Sequence, residues 1–312
     1  MKVRIATRQS ALALWQAHHV ANCLKQHFSN INITLVPLIT TGDKTLDTDL
    51  SKIGGKGVFV KELEHALLSH EADMAVHSLK DMPSILPEGL TLAAIGQRES
   101  VEDVLVTEAG LHWQDLPQGA LIGTSSLRRS IQFKALRPDC VIRLLRGNVP
   151  TRLQKWHHEG LTGILLARAG LIRLNLSTST PHTVLSIEDM LPAVGQGAIA
   201  VECREQDTFL LTMVQQAFHH EPTSVCIQAE RALNLALGGS CQVPVAGLAV
   251  LIKGMIQLKA RVGCLDGCSY LSAQTIGYAE EAELLGKSVA ELLRNQGAGD
   301  VIETVRQRGF FA

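Results

Sequence analysis

Long apolar runs are missing from this sequence. Its most hydrophobic stretches, such as residues 244–252 (PVAGLAVLI), fall well short of the ~18 residues that span a bilayer, so no membrane partner is expected. The opening MKVRIATRQS carries charge after charge and no apolar h-region; a secretory leader is not expected, and the expected address is cytoplasmic. Neither sign of charge dominates: 29 Lys and Arg face 30 Asp and Glu, for a net charge of −1, and no global field draws the chain to nucleic acid. Aromatic residues make up 4% of the chain, too few to suggest rows of base-stacking platforms. Seven cysteines contain no C-x-x-C pair, which argues against a disulfide framework and for free thiols in a reducing compartment. Cys264 and Cys268 flank a turn in CLDGC, but no second pair completes a metal site, and no metal is expected. The doublets His18-His19, His157-His158 and His219-His220 point adjacent side chains in different directions on a helix, which makes them poor ligand pairs.

What is present is an ordinary globular composition, 46% hydrophobic and 19% charged over 312 residues, enough for two or three domains. Strand-like and helix-like segments alternate from VRIAT onward, with Ser10 placed to cap the helix that follows, and the alternation predicts mixed or parallel sheets covered by helices. From His219 the pattern changes to a helix, a glycine corner, three hairpin-like strands and a final helix, which predicts a separate small α+β domain. Residues 41–57 (TGDKTLDTDLSKIGGKG) are too long and polar for an ordinary connection and read as a lid. No internal repeat or low-complexity tract interrupts the chain.

The neutral total hides a cationic block. Between Thr124 and Arg173 stand eight arginines and two lysines against only Asp139 and Glu159, an asymmetry that asks for an anionic partner. Within it, GTSSLRRS (residues 123–130) ends a strand in hydroxyls and opens a helix, so backbone N–H groups, side-chain oxygens and a helix dipole converge. Alone, this is equally an N-capped helix with solvated arginines; LLRGNVPTR and ARAGLIR add Arg146, Arg152 and Arg173 at other strand ends and favour a shared acid-binding site. GGKG at 54–57 fails the spacing of a nucleotide-binding loop. In AVHSLKDMP, Lys80 and Asp81 fall on opposite faces of an extended strand, and they reach one cleft only if the chain bends after Leu79. An aspartate among arginines stays ionised, able to stabilise a cation or exchange a proton, although a plain Lys-Asp surface pair would look the same. Cys241 follows Gly238, Gly239 and Ser240 at a helix C-terminus, where nothing lowers a thiol's pKa, so it suits an attachment point better than a recycling nucleophile.

Seven segments in order, RIATRQSALALWQA, GGKGVFVKELE, DMAVHSLKDMP, IGTSSLRR, RLLRGNVPTRL, LPAVGQGAIAVECR and GGSCQVPV, resemble the porphobilinogen deaminase (hydroxymethylbilane synthase) family over essentially the whole chain. The resemblance implies an α/β chain of three domains: residues 1–96 with 198–216, residues 97–197, and residues 217–312. The first two would be like type II periplasmic binding proteins with mixed sheets, the third a small α+β domain. It implies a transferase that condenses four porphobilinogen units head to tail with loss of ammonia, on a dipyrromethane cofactor joined by a thioether to Cys241. By the same resemblance Asp81 is the catalyst. Ser78, Lys80, Thr124, Ser126, Arg128, Arg129 and Arg146 would hold the cofactor, and Arg8, Ser125, Arg152, Arg173 and Gln196 the substrate. Lys52, Lys56 and Phe59 would belong to the lid. A monomer with porphobilinogen as its small-molecule partner is expected. Ser240 and Pro150 depart from the common pattern and bear on loop geometry. A solute-binding module would share the arginines but would not need Cys241 on a glycine corner or Asp81 in a cleft. A nucleic-acid reading of the basic block finds only Phe133 and Trp156 as aromatics there.

Overall fold

The expected alternation of strands and helices is realised in a computed structural model that describes residues 1–44, 57–238, 243–264 and 266–308. Its strands are β1 (Lys2–Arg8), β2 (Asn32–Leu38), β3 (Met74–Ser78), β4 (Leu90–Ile95), β5 (Asp103–Val106), β6 (Leu121–Gly123) and β7 (Val141–Arg143). They continue with β8 (Gly163–Ala167), β9 (His182–Val184), β10 (Ile199–Arg204), β11 (Val245–Ile252), β12 (Met255–Gly263) and β13 (Tyr270–Tyr278).

Two five-stranded mixed sheets share one plan. The first has the order β2-β1-β3-β10-β4 and the second β7-β6-β8-β5-β9. In each, the fourth strand runs antiparallel to its neighbours and comes from a distant part of the sequence: β10 pairs antiparallel with β3 and β4, β5 with β8 and β9. Every residue of β10 is buried, as a central strand covered on both faces requires, so even Glu202 and Arg204 lie out of water.

Helices cover both faces of each sheet, because each face carries its own apolar set. In the first sheet Val3, Ile5, Met74, Val76 and Val201 pack with Val20 and Leu24 of the helix Ala11–His27, which Ser10 caps by accepting from the Ala13 N–H. Ala6 and Ala75 on the other face meet Leu63 and Leu67 of the helix Lys61–Leu68. The second sheet is built alike, with Leu105, Ile122, Phe133 and Leu165 on one side and Val104, Val106, Trp156, Ile164 and Leu166 on the other. Each fully buried Val, Leu, Ile, Phe or Met side chain among them contributes about 1.5–3 kcal/mol relative to exposure.

The third sheet is an antiparallel meander, β11-β12-β13, whose β13 alternates half-buried and exposed positions over its last seven residues. The helices Ala282–Asn295 and Ala298–Arg308 follow it; the second of them was not foreseen in the sequence, where a single final helix was expected. Glu230, fully buried on the helix Glu221–Ala236, ties this region together by accepting the N–H groups of Gly195 and Ala249, both at 2.8 Å.

The chain forms two compact units. One holds the described residues up to Lys44, Gly57–Glu99 and Gly197–Val225, so that β10 completes the sheet of β1 to β4; the other holds Ser100–Gln196 and the described residues from Cys226.

Candidate active site

In the first unit the bend that Lys80 and Asp81 require is present. Strand β3 ends at Ser78 and the chain turns at once through a single 3-10 turn, Leu79–Asp81, closed by the Met82 N–H donating to the Leu79 carbonyl at 3.0 Å. The turn frees Lys80 and Asp81 from strand alternation. Asp81 Oδ2 lies 3.9 Å from Arg8 Nη1, at the end of β1, with both side chains partly open to water. Ser78 keeps its strand position and exchanges hydrogen bonds with Gln16 at 2.8 and 3.1 Å.

Arg8 is held from several sides. Its Nε donates to Asp43 Oδ2 at 3.2 Å and its Nη2 to Asp43 Oδ1, while its guanidinium carbon stands 4.2 Å from the Phe59 ring centroid. Thr40 fixes Asp43 in turn through its backbone N–H at 3.2 Å and hydroxyl at 2.7 Å. Burial alone would raise the Asp43 carboxyl; the Arg8 guanidinium and Thr40 outweigh it and hold the group below the usual aspartate range. Gly42 is required here because a Cβ would collide with the Phe59 ring. Phe59 thus buttresses Arg8. Lys52 and Lys56 lie outside the described residues.

In the second unit, β6 delivers Thr124, Ser125 and Ser126 to the start of the helix Leu127–Leu136. Ser126 is the N-cap, accepting from Arg129 N–H at 3.4 Å, and Thr124 Oγ1 accepts from Ser126 N–H at 3.1 Å. Ser125 Oγ receives Arg152 Nη2 at 3.4 Å, and Arg152 Nε is spent on the Gly147 carbonyl at 2.7 Å. Pro150 sits comfortably in the first turn of the helix Val149–His158, behind an Asn148 cap, so this departure from the common pattern costs nothing locally. Gly147, at φ +123°, makes the turn before that cap.

Arg128, Arg129, Arg146 and Arg173 are all buried. Arg128 and Arg129 face inward to Asp103, the fully buried first residue of β5. Arg129 donates to Asp103 Oδ1 through Nε at 3.1 Å and Nη2 at 2.8 Å, and to the Leu165 carbonyl at 3.2 Å. Arg128 Nη1 lies 2.7 Å from Asp103 Oδ2, an ion contact without hydrogen-bond alignment, and donates to the Leu191 carbonyl at 2.7 Å. Gln196 Nε2 joins them, 2.9 Å from Asp103 Oδ1 and 2.7 Å from the Val101 carbonyl. Burial would raise the Asp103 carboxyl, yet the two guanidinium charges win and hold it at about 2.

The structure therefore gathers Asp43, Phe59 and Asp81 around Arg8, and gathers Arg128, Arg129 and Gln196 around Asp103. Sequence reasoning missed both aspartates. Asp103 had a findable signal: a block with ten cations and two acids needs buried counter-charge from outside itself. Cys241 and Ser240 lie outside the described residues. Among those residues no cluster of three or more metal-ligating side chains occurs, and no helix is long and apolar enough to cross a membrane.

Comparison with known proteins identifies the family. Residues 3–212 match the family described as porphobilinogen deaminase, dipyromethane cofactor binding domain, and residues 224–295, which include Cys241, match the porphobilinogen deaminase C-terminal domain. A porphobilinogen deaminase of Dichelobacter nodosus is 48% identical over 305 residues, covering 98% of this chain and 99% of that protein. Matches among solved structures are distant. The periplasmic VFT2 domain of Bordetella pertussis BvgS is 14% identical, with a TM-score of 0.41 over 69% of this chain and 86% of that one. A Salmonella typhimurium periplasmic binding protein described for high arginine specificity is 13% identical, with a TM-score of 0.40 over 69% and 91%. Matched in both its N-terminal and C-terminal parts, and nearly half identical to a relative along its whole length, the chain belongs to the porphobilinogen deaminase family.

Proposed function

We propose that Asp81 is the catalytic group with which this chain performs its family's reaction. That reaction is a transfer: four porphobilinogen molecules are joined head to tail, each losing ammonia, and the linear hydroxymethylbilane is released by hydrolysis. The dipyrromethane cofactor supplies a primer, an electron-rich pyrrole carbon that stays on the enzyme while the chain grows.

The observation that carries the assignment is the 3-10 turn that swings Asp81 out of β3 to 3.9 Å from Arg8. A carboxylate there accepts a pyrrole N–H from the substrate. When ammonia leaves with its bonding electrons, the methylene carbon is left cationic, and a fixed negative charge stabilises it where it develops. The same carboxylate would take up the proton that a pyrrole carbon gives up on coupling. Arg8, oriented by Asp43 and Phe59, pairs with a substrate carboxylate.

Each pyrrole carries an acetate and a propionate, so primer and product present many acids. The residues present fit such a group. Thr124, Ser125 and Ser126 offer hydroxyls at a helix N-terminus, and Arg128 Nε is buried without a hydrogen-bond partner among the described residues. Within their unit Arg146, Arg152 and Arg173 supply further guanidinium charge with Gln196 as a polar partner, and in the other unit Ser78 and Lys80 supply polar groups. Arg128 and Arg129, anchored by Asp103, act as pre-oriented cations whose side chains lose no freedom on binding. Cys241 forms the thioether. The same reading makes the enzyme a cytoplasmic monomer with no nucleic-acid partner.

Intact mass under denaturing conditions tests the attachment. The purified protein is expected to exceed its sequence mass by two pyrrole units, and Cys241→Ser to lose that excess; an unmodified yet fully active protein would refute the scheme. Asp81→Asn is expected to fold and to bind porphobilinogen while turnover drops by roughly 100-fold or more. Turnover near the wild-type rate would remove Asp81 from its role.

A further inference from the structure

Behind the catalytic turn lies a group of titratable side chains that the chemistry does not use. His77 and Glu202 stand on one face of the adjacent antiparallel strands β3 and β10, where His77 pairs with Ala200 and Glu202 with Ala75, so the two are diagonal neighbours. His77 Nε2 is 3.0 Å from Glu202 Oε2, and their side chains are 3% and 0% exposed. Glu64 faces them from the helix Lys61–Leu68, and its carboxyl is pushed up, first by burial and then by the charge of Glu202, against the pull of His77 and Lys61. One oxygen of Glu202 and one of Glu64 are buried without a hydrogen-bond partner among the described residues. The surroundings are apolar, with Leu63, Ala66, Leu67 and Ala75 in the same core. Apolar side chains of similar size would satisfy this core better, so stability alone does not account for the group.

Its location does. His77 is followed by Ser78, the last residue of β3 paired in the ladder, opposite Ile199. One further backbone bond, Leu79 N–H to the Ala198 carbonyl at 3.0 Å, leads into the turn that carries Asp81. Ser78 points to the other face, where Gln16 holds it at 2.8 Å. The strand end is thus pinned on both faces, by Gln16 on one and Glu202 on the other, immediately before the chain bends. Apolar contacts permit rolling and small slips; a directional bond does not. We infer that His77 and Glu202 are positioning residues for the reaction, which fix the pitch of the end of β3 and thereby the place of the Asp81 carboxylate. The inference rests on the assignment of Asp81 as the catalytic group.

The test uses the full, primer-loaded enzyme, with rates expressed per mole of loaded protein from intact mass. In Glu202→Leu, kcat is expected to fall about tenfold or more with KM within about twofold, since a displacement of order 1 Å at a reacting group suffices. Hydrogen exchange at the Leu79 and Met82 amides is expected to quicken in the same variant. Glu202→Gln, whose amide oxygen still accepts from His77 Nε2–H, is expected to keep exchange slow and kcat within about threefold of wild type. The double change His77→Leu with Glu202→Leu removes both polar groups together, so it is expected to fold. There the melting temperature is expected to hold while kcat stays about tenfold down.

Wild-type kcat in the folded double variant would overturn the inference, as would a tenfold loss in Glu202→Gln with its bond intact. Asp81→Asn, run in parallel, separates the two ideas. If it abolishes turnover while the Glu202 variants do not touch kcat, Asp81 keeps its role and the positioning pair is lost. If it leaves turnover intact, the parent assignment fails first.

Discussion

Asp103 is cut off from water, yet it carries a full charge, because two guanidinium groups and the Gln196 amide converge on it. A buried charge shared by two cations is costly to disturb: removing the acid strands both arginines. Asp103→Asn is therefore expected to lower stability by about 3–5 kcal/mol in urea unfolding at neutral pH, as breaking a buried ion pair does. The pH dependence has a definite sign. The folded carboxyl titrates at about 2, below the ordinary aspartate value, so its contribution is complete above that ordinary value and disappears as pH falls toward 2. Denaturation curves between pH 5 and pH 2.5 are expected to show this loss in the wild-type protein and to lack it in Asp103→Asn. Chain position concealed this residue. Asp103 stands 25 and 26 residues before its arginine partners, and only the pairing of β5 beside β8 brings the segments together.

At the scale of elements, local pattern carried far. The cap at Ser10 follows from residue order over a few positions and is present, as is the bend that Lys80 and Asp81 need to reach one place; the extended strand read across AVHSLKDMP ends earlier than its sequence suggests, at Ser78. Partner choice does not follow from such patterns. IAVECR reads as a buried strand anywhere, and nothing in its period says that it lies between β3 and β4. Nor does a helical period mark which glutamate of KELEHALL faces a sheet that already holds an acid. Glu64 does, and its raised carboxyl sets a testable slope. Here the folded state keeps its proton to higher pH than the unfolded chain, so stability declines as pH rises from the usual glutamate range to the raised value and is level beyond. Glu64→Gln cannot ionise. It is expected to flatten that decline and to be more stable than wild type on its alkaline side, as read from melting temperatures across pH 4 to 8. A parallel decline in both proteins would place Glu64 in an ordinary, solvated state.

The molecule as a whole is almost neutral, and this balance depends on where the charges lie. The segment from Thr124 to Arg173 holds ten cations and two acids, and within its unit Asp103 compensates only part of them. Like charges held together in a folded state repel, and bound anions relieve the repulsion. The two pyrroles of the primer bring four carboxylates to a protein whose residues provide this excess, so loading is expected to stabilise the fold as well as start the reaction. Cys241→Ser, purified without primer, is therefore expected to melt several degrees below the loaded wild type at low ionic strength, where ~1 kcal/mol corresponds to about 2–4 °C in a chain of 150–250 residues and to less in a longer one. Salt discriminates the cause. At ~1 M the Debye length shrinks to about 3 Å, and the gap between the two proteins should narrow if charge relief produces it. Sulfate, which can occupy the same guanidinium groups, should close the gap at lower concentration than chloride does. A gap of constant size in both salts would assign the difference to apolar contacts of the pyrrole rings, and the arginine block would then serve recognition without bearing on the stability of the empty enzyme.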